Sequence, residues 1–199
     1  MNETRIHRLR PLLFLSLALT LAACSGRSEE PPLKGAAIGG PFTLTNQDGR
    51  QVTERDFDGR YRLLYFGFTH CPDVCPTDLA VIGQALRRFE KSHPERAARV
   101  APIFVSVDPE RDTPAVLKEY VAAFHPRLVG LTGTSQQVAE MVKRYGAYGA
   151  REEPGAEGGY NVNHSRLVEL IGPDGKPIAL LPYEKGAETL AAELEFWVK

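Results

Sequence analysis

An α/β fold built on a partly parallel sheet is what this sequence predicts, on three observations. Two nearly continuous apolar runs, "YRLLYFGF" and "VAPIFVSV", suit strands buried on both faces. The segment between them, "TDLAVIGQALRRFEKSH", carries Leu79, Ile82, Leu86 and Phe89 three or four residues apart, which is one apolar face of a helix. Strand, helix, strand of this kind is a right-handed parallel crossover. Near either end, Asp48-Gly49 and Pro173-Asp174-Gly175 stand between short extended segments, and each is turn chemistry for a hairpin.

Taken in order, "PFTLTNQDGRQVT" is an N-terminal hairpin, and "YRLLYFGF" is the first buried strand. The helix that follows opens at Cys75, Pro76 and Thr77, with Thr77 as its expected N-cap. After "VAPIFVSV" comes "DTPAVLKEYVAAFH", a helix capped by Thr113 with Pro114 at its first position. "RLVGLTG" is a short strand and "SQQVAEMVKRYGAYG" another helix. "REEPGAEGGYNVN" reads as a glycine-rich loop too long to be a mere connection. "RLVELIG" and "KPIALLPY" make the second hairpin, and "AETLAAELEFWVK" closes the chain as an amphipathic helix. Two βα units followed by a hairpin and a helix fit a thioredoxin-like sheet, with an added N-terminal β-hairpin and extra strands in front.

At 199 residues and 43% hydrophobic content, the chain suffices for one globular domain with a full core. A formal net charge of −1 without any basic block argues against nucleic acid as a partner. The N-terminus differs from the rest. Arg5, Arg8 and Arg10 precede "PLLFLSLALTLAA", a run too short for a stable span, and "LAAC" resembles the lipobox of bacterial lipoproteins. The expected organisation is a signal peptide over 1–23 and a flexible tether over 24–36 that begins at a lipidated Cys24. A folded domain over 37–199 follows. Membrane attachment would be through the lipid, on the extracytoplasmic, periplasmic side.

With Cys24 assigned to lipid, Cys71 and Cys75 are the remaining thiols, placed between a buried strand and a helix at the carboxyl edge of the sheet. Three readings are open: a structural staple, a redox pair, or part of a metal site. The start of a helix is expected to stabilise a thiolate there and lower its pKa. Three residues, Pro72, Asp73 and Val74, separate the cysteines, one more than in thioredoxin-type motifs, so both sulfurs can turn to a common point. Two thiolates leave a metal under-coordinated and require a third ligand.

Five histidines are available. His7 falls in the signal peptide, and His93 and His125 fall near helix ends, where a solvated side chain is expected. His70 neighbours Cys71 in sequence, but adjacent residues at a strand end point to opposite sides. His164 lies in "YNVNHSRLVELIG", just before a strand whose preceding loop faces the cysteine turn in a thioredoxin-like fold. No proline occurs between Pro154 and Pro173, where ordinary thioredoxins place a cis-proline, and a histidine in its stead favours a metal site. Asp108, Arg111 and Asp112 of "VDPERDTP" belong to the same edge, as caps and ion pairs shaping the loop or as a docking feature beside the metal.

"FTHCPDVCP", "VDPERDTP" and a histidine ahead of "LIGPDG", in that order from about Gly39 onward, resemble the Sco/SenC family of copper-binding thioredoxin-fold proteins. The resemblance implies that Cys71, Cys75 and His164 bind copper, as Cu(I) or Cu(II). It further implies a metallochaperone for the dinuclear copper centre of cytochrome c oxidase. The partners would then be the copper-accepting oxidase subunit and periplasmic copper chaperones or thiol reductants. Asn163 stands where the family often has an aspartate, which removes a charge beside the ligand set. Zinc also suits a Cys₂His set, so copper rests on the resemblance. The competing function is a thiol–disulfide oxidoreductase whose redox-active pair, Cys71 and Cys75, reduces the oxidase cysteines. A peroxiredoxin-like peroxidase is weaker, because the cysteine turn offers Thr69 and Thr77 but no arginine.

Overall fold

The computed structural model describes residues 29–153 and 159–199. The signal peptide and Cys24 lie outside the described residues. Residues 31–199 form one compact unit. Its N-terminal hairpin is β1 (Thr43–Asn46) and β2 (Gln51–Thr53), turning at Gly49 with φ +75°, a conformation that favours glycine. The buried runs are β3 (Tyr61–Gly67) and β4 (Val100–Ser106), paired in parallel. Between them lie α1 (Val74–Ser92) and a short α2 (Pro94–Ala98) that the periodicity did not indicate. Then follow α3 (Pro114–Phe124), β5 (Val129–Thr132) and α4 (Ser135–Arg144). The Thr113 side chain accepts from the Val116 N–H at 3.4 Å, the cap expected for α3.

The expected long loop contains structure. β6 (Gly149–Arg151) and β7 (Val162–His164) pair antiparallel as a separate two-stranded sheet, with Ala150 opposite Asn163. Three-residue strands show no alternation to read, so composition alone suggested a loop. β8 (Val168–Ile171), β9 (Pro177–Leu180) and α5 (Ala187–Trp197) complete the chain as expected.

The main sheet has the order β2-β1-β5-β4-β3-β8-β9, so the added hairpin extends one edge through β1 against β5. Residues alternate along β3. Tyr61, Leu63 and Tyr65 face the core under α1, α3 and α5, whereas Leu64 and Phe66 face the core under α4. Arg62 and Glu169 share the α4 side and are both buried, an exception to its apolar lining. At the other end of the chain, the Leu33 N–H donates to the Ile178 carbonyl at 3.0 Å, so the segment preceding residue 37 reaches β9.

Candidate metal centre

β3 and β4 end together at the carboxyl edge, where the Val107 N–H donates to the Gly67 carbonyl at 2.8 Å. From Gly67 the chain turns through Phe68 to Cys71 and enters α1 at Val74, with Asp73 as N-cap. The helix therefore starts three residues before the expected Thr77 cap. The Thr77 hydroxyl instead donates back to the Asp73 carbonyl at 3.0 Å. Cys75 is thus the second helical residue, and its side chain turns inward beside Tyr65 and Gly67, wholly buried.

His164, at the end of β7, puts Nε2 3.2 Å from the Cys75 sulfur. Its Nδ1 lies 3.0 Å from the Ser165 carbonyl, which can only accept, so Nδ1 carries the proton and the Nε2 lone pair faces the thiol. Donor atoms of Cys71, Cys75 and His164 all lie within 4.8 Å of one another. The ring is fixed edge-on against Phe68 at 5.7 Å and Tyr65 at 6.4 Å between centroids. A cavity between residues 71–74 and 161–166 reaches Cys71 and His164 from outside, with Cys75 buried beneath them.

Burial pushes the Cys75 thiol up, against the expected lowering by the helix start. The reason is where the N–H groups point: the Cys75 N–H donates to the Cys71 sulfur at 3.3 Å, while the Cys75 sulfur sits in the apolar interior. Both cysteines are free thiols.

Gly67 makes room for Cys75. A Cβ there would stand 2.8 Å from the Cys75 sulfur, closer than packing allows, and 3.0 Å from Phe104 and 3.1 Å from Tyr65, tight enough that the rings must give way. Gly67→Ala should destabilise the protein by about 1–3 kcal/mol through overpacking and displace the sulfur. A thermal melt and the thiolate-to-metal absorption of the loaded protein check this, and an unshifted spectrum would mean that the turn simply yields.

The other expected residues divide as follows. His70 is largely exposed, with Nδ1 at 3.0 Å from the Thr69 hydroxyl, and stays outside the donor group. His93 caps the end of α1, partly exposed near Glu195. His125 corrects an expectation: it is buried rather than solvated, with Nε2 3.4 Å from Glu90 and Nδ1 accepting from the Arg127 N–H at 3.2 Å. Asn163 is exposed opposite Ala150. Asp112 accepts from the Thr69 N–H at 3.0 Å and from the Ser106 hydroxyl at 2.6 Å, which fixes the cysteine side. Asp108 accepts from the Tyr160 hydroxyl at 2.8 Å and pairs with Arg111, which reaches toward the histidine side.

Sequence reasoning missed Asp78, Tyr65 and Arg166. Asp78 is buried one turn after Cys75, takes the Tyr65 hydroxyl at 2.8 Å and binds Arg166 through two nitrogens at 2.8 and 3.1 Å. It thereby ties the segment after His164 to the cysteine helix. An acid between Cys75 and Leu79 on the helix's apolar face was the available signal.

A family model, SCO1/SenC, matches residues 30–199. Protein SCO1 homolog 1, mitochondrial, of Arabidopsis thaliana is 42% identical over 146 residues, 73% of this chain and 42% of its own length. Among solved structures, Bradyrhizobium japonicum ScoI with copper bound has 42% identity and a TM-score of 0.73, covering 81% of this chain and 99% of that one. BsSco, a Sco-family cytochrome c oxidase assembly protein with a disulfide switch, has 26% identity and a TM-score of 0.62, covering 82% and 95%. The chain spans about half the length of the curated relatives it matches. With its cysteine turn, its histidine strand and its aspartate loop all in place, and with the family model matching from residue 30 to the last, the chain belongs to the SCO1/SenC family.

Proposed function

We propose that this protein binds copper as cargo through Cys71, Cys75 and His164 and passes it to the copper-accepting subunit of cytochrome c oxidase. The single observation that carries the reading is two sulfurs and one imidazole nitrogen within 4.8 Å of one another at an open sheet edge. Two soft sulfurs and a nitrogen suit Cu(I), and an added oxygen donor suits Cu(II). The donor set alone also suits zinc, and the copper-bound ScoI relative tips the reading to copper. Within the chain, the Ser165 carbonyl presents the Nε2 lone pair, Phe68 and Tyr65 fix the ring, and loading displaces the proton held by Cys75.

A second reading favours the same two thiols as a redox pair, because they are free, four residues apart, and Cys71 lines the cavity. It is supported by the disulfide switch of BsSco. In this reading the reduced pair hands two electrons to a disulfide of the oxidase subunit and closes as a disulfide itself. Attachment through a lipidated Cys24 on the periplasmic face belongs to the same proposal. Among the described residues, no helix is long and apolar enough to cross a membrane.

His164→Ala separates the two readings. In the full chain purified in detergent, Cu(II) affinity should fall more than about 100-fold, since even losing an outer partner of a ligand costs about 10–100-fold. Cu(I) should remain on the two thiolates, and the disulfide should still form and reduce. Unchanged nitrogen coupling in the EPR spectrum of the variant would remove His164 from the ligand set and leave the oxidoreductase.

A further inference from the structure

The aspartate loop after β4 touches both walls of the site, and one side chain spans them. The Arg111 guanidinium lies over the Phe68 ring at 5.6 Å on the cysteine side and over the Tyr160 ring at 3.8 Å on the histidine side. It also donates to the Tyr160 carbonyl at 3.0 Å and pairs with Asp108, which takes the Tyr160 hydroxyl at 2.8 Å. Arg151 of β6 covers the same tyrosine ring at 3.6 Å, so the ring is held between two guanidinium groups. Phe68 in turn meets the His164 ring edge-on at 5.7 Å. Tyr160 lies two residues before β7, whose last residue is His164. Among the described residues, β7 pairs with β6 and not with the main sheet, so apart from the short link to β8 no strand ladder holds it there and side-chain contacts help to place it.

We propose that Arg111, acting with Asp108 and Tyr160, is the positioning element that holds His164 against the cysteine turn and sets how fast copper leaves. This rests on the copper reading above. Planarity matters: a guanidinium stacks on two rings while its N–H groups reach a carbonyl and a carboxylate, and a lysine ammonium does neither together. Asp108 is buried and Arg111 mostly so, which keeps solvent from weakening the contacts.

The test uses the full chain in detergent with Arg111→Ala, Arg111→Lys and Tyr160→Phe, read in two ways. Loaded with Cu(I) and challenged with a chelator, Arg111→Ala should release copper about 10–100-fold faster. Tyr160→Phe, which keeps the ring and loses only the bond to Asp108, should release it roughly tenfold faster with little change in melting temperature. Arg111→Lys should behave like alanine, whereas a role of charge alone would be rescued by lysine, and rescue overturns the proposal. In the metal-free protein, amide exchange over 149–152 and 161–165 should quicken in Arg111→Ala. Faster exchange with unchanged release would make the contact merely structural, and faster release with unchanged exchange would place its effect elsewhere; either result overturns the proposal. Failure of the copper reading is separate. It appears as a wild-type protein whose copper signals do not respond to His164→Ala, and the exchange measurement still judges whether Arg111 holds the strand.

Discussion

Asp112→Ala lowers stability by roughly 3–5 kcal/mol, because it strands three donors that now converge on one fully buried carboxylate. The carboxylate is fully buried and accepts from the Thr69 N–H at 3.0 Å, the Thr69 hydroxyl at 2.7 Å and the Ser106 hydroxyl at 2.6 Å. Unpaired buried donors cost about 1–3 kcal/mol each, less where the loop can relax toward water. For a chain of this size, 1 kcal/mol moves the melting temperature by about 2–4 °C, so a drop of roughly 10 °C is expected. Function is lost with it. Thr69 lies two residues before Cys71, and the Ser106 hydroxyl that serves Asp112 also receives the Asp108 N–H at 3.0 Å, so both walls of the site loosen together. Asp112→Asn keeps the shape but turns one acceptor into a donor, and about half the loss is expected. Thermal melts of the three proteins decide it: an alanine variant within about 2 °C of wild type would mean that the loop satisfies its donors another way.

How much of this was legible in the sequence can be argued residue by residue. The pattern of two buried runs around an amphipathic helix located the cysteine turn, because burial on both faces and helical spacing are properties of short segments. Cys71, Cys75 and His164 were legible because few thiols and imidazoles compete for the role and their segments fall on one edge. The nature of "VDPERDTP" as a loop of caps and ion pairs was legible too. Its division of labour was not: Asp112 serves the cysteine side and Asp108 the histidine side, which depends on where each side chain points after β4 ends. The same holds for the Cys75 pKa. A helix start predicts a lowered value only for a sulfur at its N–H groups, and those face Cys71. Tyr65, Asp78 and Arg166 lie on a strand, a helix and a loop far apart in sequence, so nothing local pairs them.

Glu169→Gln removes the pH dependence that a buried, unpartnered carboxyl imposes. Glu169 sits on β8 opposite Leu64, almost wholly buried on the α4 side, and neither oxygen has a hydrogen-bond partner among the described residues. Burial pushes its pKa up from 4.5 to about 8. Below pH 4.5 the side chain is protonated in both folded and unfolded chains and costs nothing through ionisation. Between about 4.5 and 8 the unfolded chain loses the proton while the folded one keeps it, so stability falls as pH rises, at about 1.4 kcal/mol per pH unit. Above 8 the whole cost, on the order of 5 kcal/mol, is present. Glutamine has nearly the same shape and no proton to lose, so the gap between variant and wild type should open in its favour across this window. Other titrating groups cancel in that difference. His125, whose pKa burial lowers, favours the fold as pH rises, and it does so equally in both proteins. Urea unfolding of both chains from pH 5 to 9 measures the gap. Parallel stability curves would show that Glu169 ionises freely in the fold, with Arg62, which shares its side of the sheet, as the charge that stabilises it.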